Sequence, residues 1–323
     1  MSTRMTDLVT VEHTIDIAAP ARVVYDLIAD VASWPQIFHP TLHIDVLEQG
    51  DGHERLRLWA TANGEVRNWV SRRELDPSAL RIDFRQEVPS SPVNAMGGSW
   101  IITAVDAGQT AVRLLHDYRS DDEDSLPWIA AAVDRNSRSE LGALKEAAEL
   151  DLPGLQFSFE DSIVIDGDAG VAYQFLERAD LWPERLGHVA SLDLAEDSDG
   201  VQRMVMETVT PDASVHTTES VRICFPEQRI VYKQIVTPPI MSAHTGQWHV
   251  HRDAGATIVT SQHTVRLRPD KVSDILGQDI PLSDAAAKVR AALSANSRLT
   301  LHAAKAYTER AGQDGLVGNR PGR

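Results

Sequence analysis

Trp34-Pro35 recurs as Trp182-Pro183, 148 positions further on, and the same offset carries Gly98-Ser99-Trp100 onto Gly246-Gln247-Trp248. Between these anchors Arg81-Ile82-Asp83-Phe84-Arg85-Gln86 falls on Arg229-Ile230-Val231-Tyr232-Lys233-Gln234. Asn136-Ser137-Arg138 matches Asn296-Ser297-Arg298 at an offset of 160, so the second copy gains about 12 residues before its last element. A period this long means duplicated domains and not a solenoid of short repeats. A chain of 323 residues accommodates two domains of roughly 150 residues, each able to bury its own core.

Local patterns describe what is duplicated. Val11, Ile15 and Ile17 alternate as in a strand, and Val23, Val24, Leu27 and Ile28 follow at helical spacing up to Trp34-Pro35. Leu42, Ile44 and Val46 alternate again. Asp51-Gly52, Asn63-Gly64, Asp76-Pro77 and Ala107-Gly108 then punctuate the chain at hairpin spacing, which predicts an antiparallel meander. From Trp128 to Leu150, Ile129, Val133, Leu141, Leu144 and Ala148 share one face of a long helix, with a counterpart from about Ser283 to Tyr307. The expected class is α+β: two tandem domains, each a curved antiparallel sheet around a long C-terminal helix. A strongly curved sheet does not close completely on one helix, so an elongated interior pocket is expected between them. The domains are expected at residues 1–153 and 154–310, joined through Asp151-Leu152-Pro153-Gly154. A loose tail is expected over 311–323, where Gly and Arg are frequent.

Composition narrows the partners. With 42% hydrophobic and 24% charged residues the chain is ordinary globular material. A formal charge of -16 repels nucleic acid and anionic membrane, leaving a small or carrier-bound substrate. No apolar run approaches the roughly 18 to 20 residues needed to span a bilayer, and Met1 to Val9 lacks the apolar core of a signal peptide. A cytoplasmic protein is expected. Cys224, the single cysteine, lies in the apolar stretch Val221 to Phe225 and reads as a core residue and not a nucleophile.

Candidate chemistry sits on two strands and the terminal helix. In Trp69-Val70-Ser71-Arg72-Arg73, alternation puts Trp69, Ser71 and Arg73 on one face and Arg72 on the other. By spacing alone two solvated edge arginines are the commoner outcome. Against that, Ser220 and Arg222 repeat the Ser-x-Arg spacing in the second copy, after a one-residue insertion near Ala213. His116, in Leu114-Leu115-His116-Asp117-Tyr118, has a counterpart in His263. Such a histidine is more often structural, but beside a buried arginine it could serve as an acid or base. Arginine stays protonated, so its own use would be to hold an enolate or carbonyl oxygen. Asn136 and Glu140 share a helix face. Glu140 could orient His116 or remain solvated, and Thr300 stands at its place in the second copy.

Other chemistries fare worse. His249-Val250-His251 has no evident third metal ligand. Neither G-x-G-x-x-G nor a P-loop is present, and Gly97-Gly98-Ser99-Trp100 is not a nucleophile elbow. The acidic run Asp121 to Asp124 reads as a solvated loop. No metal and no cofactor are expected.

An ordered set of short motifs carries a further reading. In the first copy these are His13-Thr14 with Ala18-Ala19-Pro20-Ala21, Trp34-Pro35 with Ile37-Phe38, Trp69 to Arg73 with Leu75-Asp76-Pro77, Met96 to Trp100, His116-Asp117-Tyr118 and Asn136-Ser137. The second copy adds Met206 to Thr210, His216 to Ser220, Ile230 to Gln234 and Asn296 to Arg298. Together they resemble, over nearly the full length, the di-domain aromatase/cyclases of bacterial type II polyketide synthases, within the START-like (Bet v 1-like) superfamily. The resemblance implies a helix-grip fold whose pocket folds a poly-β-ketone carried on an acyl carrier protein, in aromatic polyketide (antibiotic) biosynthesis. One intramolecular aldol condensation, at C7 to C12 for the first ring, would be followed by dehydration to the aromatic ring. Implied partners are the carrier-bound polyketide and the other synthase components, with the protein itself a monomer.

By the same resemblance the pocket arginine falls on Arg73, the strand histidine on His116 and the acidic helix residue of some members on Glu140. Trp34, Trp69, Ser71 and Asn136 match pocket positions, and Phe38, Met96 and Trp100 join the expected substrate-binding wall. Trp182, Ser220, Trp248 and Asn296 would line the second pocket. Thr41 departs from the tyrosine of some single-domain relatives, which removes tyrosine-assisted proton transfer there. The expected roles are enolate or alkoxide stabilisation by Arg73, proton transfer by His116 and carbonyl fixation by Ser71. Arg222 and His263 could repeat the chemistry, finish aromatisation or brace the first domain. Two other readings share the fold: a non-catalytic carrier of hydrophobic ligands, and a hydratase or dehydratase of a different small substrate.

Overall fold

A single antiparallel sheet with one apolar face needs cover, and both halves of this chain meet that need in the same way. The structure is a computed structural model that describes residues 8–150, 152, 154–196, 200–209, 215–278 and 280–318, with side chains to residue 313. It divides into two compact units, residues 1–151 and 152–323. Asp151 and Pro153 of the expected linker, and the insertion near Ala213, lie outside the described residues.

In the first unit β1 (Val9–Ile17), β2 (Thr41–Gly50), β3 (His53–Ala62), β4 (Glu65–Asp76), β5 (Arg81–Val88), β6 (Ala95–Ala104) and β7 (Thr110–Arg119) form one sheet. Its order is β1-β7-β6-β5-β4-β3-β2, antiparallel throughout. The meander from β2 to β7 thus returns to β1. Asn63 and Gly64 take φ values of 52° and 84° in the β3 to β4 turn, the left-handed pair that a two-residue hairpin needs. Between β1 and β2 lie α1 (Ala21–Ala29) and α2 (Trp34–Ile37). The first of these buries Ala21, Val24, Tyr25 and Ile28, one stripe of an amphipathic helix.

The cover is α3 (Leu126–Glu149), with Pro127 in its first turn and Ile129, Ala132, Val133, Ser137, Leu141, Leu144 and Ala148 buried. Its C-terminal end is latched to the exit of β1: Lys145 donates to the Asp16 carbonyl at 2.8 Å, and Glu149 accepts from the Ala18 amide at 2.7 Å. Ile17, Ile28, Phe38, Ile82, Trp100, Val112, Leu114, Leu141 and Leu144 pack as the main core at that end. Smaller clusters form around Leu56 with Leu58 and around Ile129 with Val133.

The second unit repeats this plan with β8 (Gln156–Ile165), α4 (Ala169–Glu177), α5 (Trp182–Arg185), β9 (Val189–Glu196), β10 (Val201–Val209), β11 (Val215–Phe225), β12 (Arg229–Val236), β13 (Met241–Asp253) and β14 (Ala256–Leu267). Its sheet order is β8-β14-β13-β12-β11-β10-β9. Two helices close it, α6 (Pro269–Leu276) and α7 (Leu282–Gly318). The inserted residues read from the sequence are therefore α6, whose Val272 is buried with Ile240, Met241, Leu267, Ala285 and Val289. The terminal latch recurs at the offset of 160: Lys305 donates to the Val164 carbonyl at 2.6 Å and Glu309 accepts from the Asp166 amide at 3.1 Å. One expectation needs correcting. The last helix does not give way to a tail at residue 311 but runs to Gly318, continuing through Gly312 and Gly315, each of which costs a helix only about 1 kcal/mol. Residues 319–323 lie outside the described residues.

Glycine shapes both sheets at one register. Gly98 stands opposite His116 and Gly246 opposite His263. A Cβ on Gly98 would collide with the Leu115 carbonyl oxygen and Phe84, and one on Gly246 with the Gln262 carbonyl oxygen and Tyr232. Only glycine allows this close approach, which sets where the strand histidine enters the interior.

Candidate functional site

Inward-facing side chains of β3 to β7 and one face of α3 enclose a cavity in the first unit. Its wall is mainly apolar: Leu56, Leu58, Ala60, Trp69, Phe84, Met96, Trp100, Leu114, Ile129 and Val133, with Trp34 at one end and Trp128 near the start of α3. Few polar side chains reach it. They are Thr41, Ser71, Arg73, Gln86, His116, Asn136, Ser137 and Glu140, and Arg67, Ser90 and Ser91 from the β3 to β4 hairpin and the loop after β5. Alternation along β4 behaves as expected, with Ser71 and Arg73 buried and Arg72 exposed.

Arg73 is 3% exposed, and its hydrogen-bonding capacity is largely spent within the protein. Nε and Nη2 both donate to Glu54 Oε2, at 3.2 and 2.9 Å; Nη1 donates to the Ile28 carbonyl at 2.9 Å and Nη2 to the Ala29 carbonyl at 2.8 Å. Its guanidinium carbon lies 5.2 Å from the Trp34 ring centroid. One Nη1 hydrogen is left for a ligand, so the oxyanion clamp expected of Arg73 is much narrower than the sequence suggested. Ser71 is similar: its hydroxyl donates to the Arg85 carbonyl at 3.1 Å, leaving only lone pairs for a substrate. Asn136 donates its amide to the Thr61 carbonyl at 3.2 Å.

His116 and Glu140 are freer. His116 Nδ1 is 3.4 Å from Ser137 Oγ, a long contact, and the ring meets Phe84 edge-on at 5.4 Å. Burial, with the neighbouring His13, holds its imidazole down at about 4, so it is neutral near pH 7. Glu140 has no hydrogen-bond or ion-pair partner among the described residues, and burial pushes its carboxyl up to about 7. The cavity therefore holds an uncharged base on the sheet and a carboxyl near half-protonation on the helix. Such separated environments are how acid and base roles are assigned at neutral pH.

The remaining expected residues divide. Trp34, Trp69, Met96 and Trp100 line the cavity, and Trp34 donates its indole N–H to the Ile28 carbonyl at 3.1 Å. Phe38 does not line it. At 1% exposure it is a core residue, edge-on to Trp34 at 5.2 Å and stacked on Trp100 at 6.3 Å. In the second unit Trp182 and Trp248 are core residues in edge contact at 6.5 Å, Ser220 is buried, and Asn296 accepts through its carbonyl from Thr300 Oγ1 at 3.1 Å. Arg222 is 1% exposed and donates to the Leu176 carbonyl at 2.6 Å, Gln202 Oε1 at 2.7 Å and the Glu177 carbonyl at 3.3 Å. Cys224 is buried, and burial raises its thiol to about 11, in keeping with a core role. Among the described residues no group of three His, Cys, Asp or Glu side chains is arranged to hold a metal ion, and no helix is long and apolar enough to cross a membrane.

His263 differs from His116 in having both ring nitrogens engaged. Tyr232 Oη and His244 Nε2 each lie 3.0 Å from Nδ1, and Ser261 Oγ lies 3.1 Å from Nε2. Phe159 stacks on one face at 4.8 Å and His244 at 5.3 Å. Burial holds both imidazoles well below their ordinary range.

Sequence reasoning missed Glu54, Gln86, Tyr232 and His244. The signal was in the offset of 148, which sets Glu54 against Gln202, Phe84 against Tyr232, Met96 against His244 and Gln86 against Gln234. The first three pairs mark where the interiors differ, and the last where they agree.

Comparison with known proteins bears on this site. A family profile described as "Polyketide cyclase / dehydrase and lipid transport" matches residues 9–149. Over 310 residues the chain is 46% identical to the actinorhodin polyketide synthase bifunctional cyclase/dehydratase of Streptomyces coelicolor, covering 92% of this chain and 96% of that one. It is 42% identical over 301 residues to the granaticin polyketide synthase bifunctional cyclase/dehydratase of Streptomyces violaceoruber, covering 91% and 93%. Among solved structures, the di-domain ARO/CYC BexL from the BE-7585A biosynthetic pathway superposes with a TM-score of 0.84 at 52% identity, covering 93% of this chain and 99% of that one. The di-domain ARO/CYC StfQ from the steffimycin pathway gives 0.82 at 36% identity, covering 94% and 99%. Similarity at this level along almost the whole chain, on a matching duplicated fold, makes it a member of the di-domain aromatase/cyclase family of polyketide cyclases/dehydratases.

Proposed function

We propose that the first unit is the reaction chamber of a polyketide cyclase/dehydratase. It folds a poly-β-ketone delivered on an acyl carrier protein, joins C7 to C12 by aldol condensation and dehydrates the product to an aromatic ring. The observation that carries this is the pairing of neutral His116 with unpartnered Glu140 in one apolar cavity. The substrate class is supported by similarity along nearly the full length to polyketide synthase cyclase/dehydratases. The regiochemistry and the carrier rest on resemblance to the di-domain family.

Neutral His116 takes a proton from an acidic CH2 between two carbonyls, giving an enolate. The enolate carbon attacks a ketone carbon further along the chain, forming the C–C bond and leaving an alkoxide. Glu140 in its acid form protonates that alkoxide. Return of the proton from the His116 imidazolium to the Glu140 carboxylate resets both groups. His116 then takes a second proton from carbon while the Glu140 carboxyl protonates the hydroxyl, which leaves as water, and enolisation of the neighbouring ketones completes the aromatic ring. Many carbonyls could react, so the walls choose by proximity: a chain bent between Trp69 and Trp100 presents few pairs of carbons at bonding distance. Arg73, tied to Glu54 and to α1, forms part of the cavity wall and offers its one remaining Nη1 hydrogen to a carbonyl oxygen. In the second unit, Arg222 and His263 are occupied by protein partners, which favours a bracing role over a repeat of the chemistry.

The test is incubation of the full chain with a minimal polyketide synthase and analysis of the products. The wild type is expected to suppress the spontaneous cyclisation products, and His116→Ala and Glu140→Gln to restore them. A wild-type profile identical to spontaneous cyclisation would leave a carrier of hydrophobic ligands as the better reading.

A further inference from the structure

Most polar groups on the chamber wall are already committed to the protein, which raises the question of what holds the oxygens of a flexible ketone chain. Besides His116 and Glu140, which serve the proton transfers, Gln86 is the exception. It lies on β5 facing the cavity, beside Ser71 across the β4 to β5 pairing, and among the described residues its side chain makes one weak hydrogen bond, Nε2 to Met96 Sδ at 3.5 Å. Its carboxamide oxygen is buried and has no partner among the described residues. In the second unit the same register holds Gln234, opposite Ser220, and its carboxamide oxygen is unpartnered in the same way.

A buried amide oxygen without a donor opposes folding, and apolar replacement of such a group is neutral or stabilising. Its neighbours at alternate positions on β5, Ile82 and Phe84, show that this face of the strand accepts apolar side chains. A glutamine present in both copies at this position, with the same unmet acceptor, is not explained by packing. A poly-β-ketone supplies what is missing, because a 1,3-diketone in its enol form presents an O–H donor. Glutamine does not titrate, so its contribution is placement and not proton transfer.

We infer that Gln86 is a substrate-positioning residue whose carboxamide oxygen accepts a hydrogen bond from an enol hydroxyl of the ketone chain, pinning one 1,3-diketone unit against β5 between Ser71 and Met96. This rests on the reading of the cavity as a polyketide chamber.

The experiment uses the full chain and its Gln86→Leu variant, with dibenzoylmethane, a stable enolised 1,3-diketone, as the probe. Binding is read from quenching of tryptophan fluorescence, and products from incubation with a minimal synthase. The variant is expected to melt at the wild-type temperature or above it, to bind the probe about 5- to 10-fold more weakly, and to release a larger share of spontaneously cyclised products with an unchanged pH profile. Gln86→Asn, which keeps the amide but shortens it, should recover part of the binding. Equal probe affinity and equal product ratios in wild type and Gln86→Leu would overturn the inference while leaving the chamber intact. So would a lower melting temperature with unchanged affinity, the mark of a purely structural side chain. A wild type that neither binds the probe nor alters the products would overturn the chamber and the inference together.

Discussion

Arg73 and Arg222 occupy the same place in their sheets with different partners, a carboxylate from Glu54 in one and a neutral amide from Gln202 in the other. Removing the guanidinium by Arg73→Ala strands the Glu54 carboxylate and two carbonyls in the interior, and should cost about 3–5 kcal/mol in chemical denaturation. Glu54→Gln recreates the pairing that the second unit already tolerates and should cost less, about 1–2 kcal/mol. Equal losses in the two variants would mean that the carboxylate itself is indispensable. Glu140→Gln tests the acid. Turnover at pH 7 should fall by about 10²-fold or more while the fold is retained, since the carboxyl has no partner to lose. As a proton donor with a carboxyl near 7, Glu140 should also make the wild-type rate decline as pH rises above 7, and as a base held near 4, His116 should make it decline toward pH 4. The limb above 7 should vanish in Glu140→Gln when single-turnover rates are followed across pH.

Strand pairs carry the difference between the two interiors. On β5 and β6 the first unit has Phe84 and Met96, which leave His116 with one long contact; on β12 and β13 the second has Tyr232 and His244, which saturate His263. The Ser261 hydroxyl and the stacked Phe159 complete that cluster. Tyr232→Phe, which copies the first unit, should cost about 1 kcal/mol from the lost hydrogen bond. His263→Ala should cost more, about 2–4 kcal/mol, through the cavity and the stranded partners. Neither is expected to change the product profile in the synthase assay; a shift toward spontaneous products would show that the second unit takes part in the chemistry.

For the molecule as a whole, buried groups couple stability to pH. His116, His244 and His263 are kept below their unfolded value near 6.5 by burial. Between the folded and unfolded values the unfolded chain binds more protons, so this contribution is full above about pH 6.5 and is lost as pH falls toward 4. Glu140, raised to about 7, has the opposite sign: its folded form keeps a proton that the unfolded chain releases above about 4.5, so its contribution declines as pH rises toward 7. Three imidazoles outweigh one carboxyl, and the thermal midpoint should fall when the pH is lowered from 7 to 5. His263→Ala should reduce that slope, and Glu140→Gln should steepen it. Two calorimetric transitions with unequal pH dependence are expected, because each unit carries its own set of titrating groups.

Local periodicity was enough to assign the duplicated plan of strand, helix, meander and long covering helix, because alternation, helical spacing and turn dipeptides act over a few residues. It also put Trp69, Ser71 and Arg73 on one face of a strand, while the weight given to His116 and Glu140 came from the family resemblance. Only the folded chain decided which of these groups are still available. Glu54 meets Arg73 from the neighbouring strand, the Ile28 and Ala29 carbonyls reach it from a helix end, Phe38 turns into the core, and His263 is surrounded by residues from other strands. Hydrogen-bond saturation depends on register and curvature that join positions far apart in the chain, and no local pattern records it.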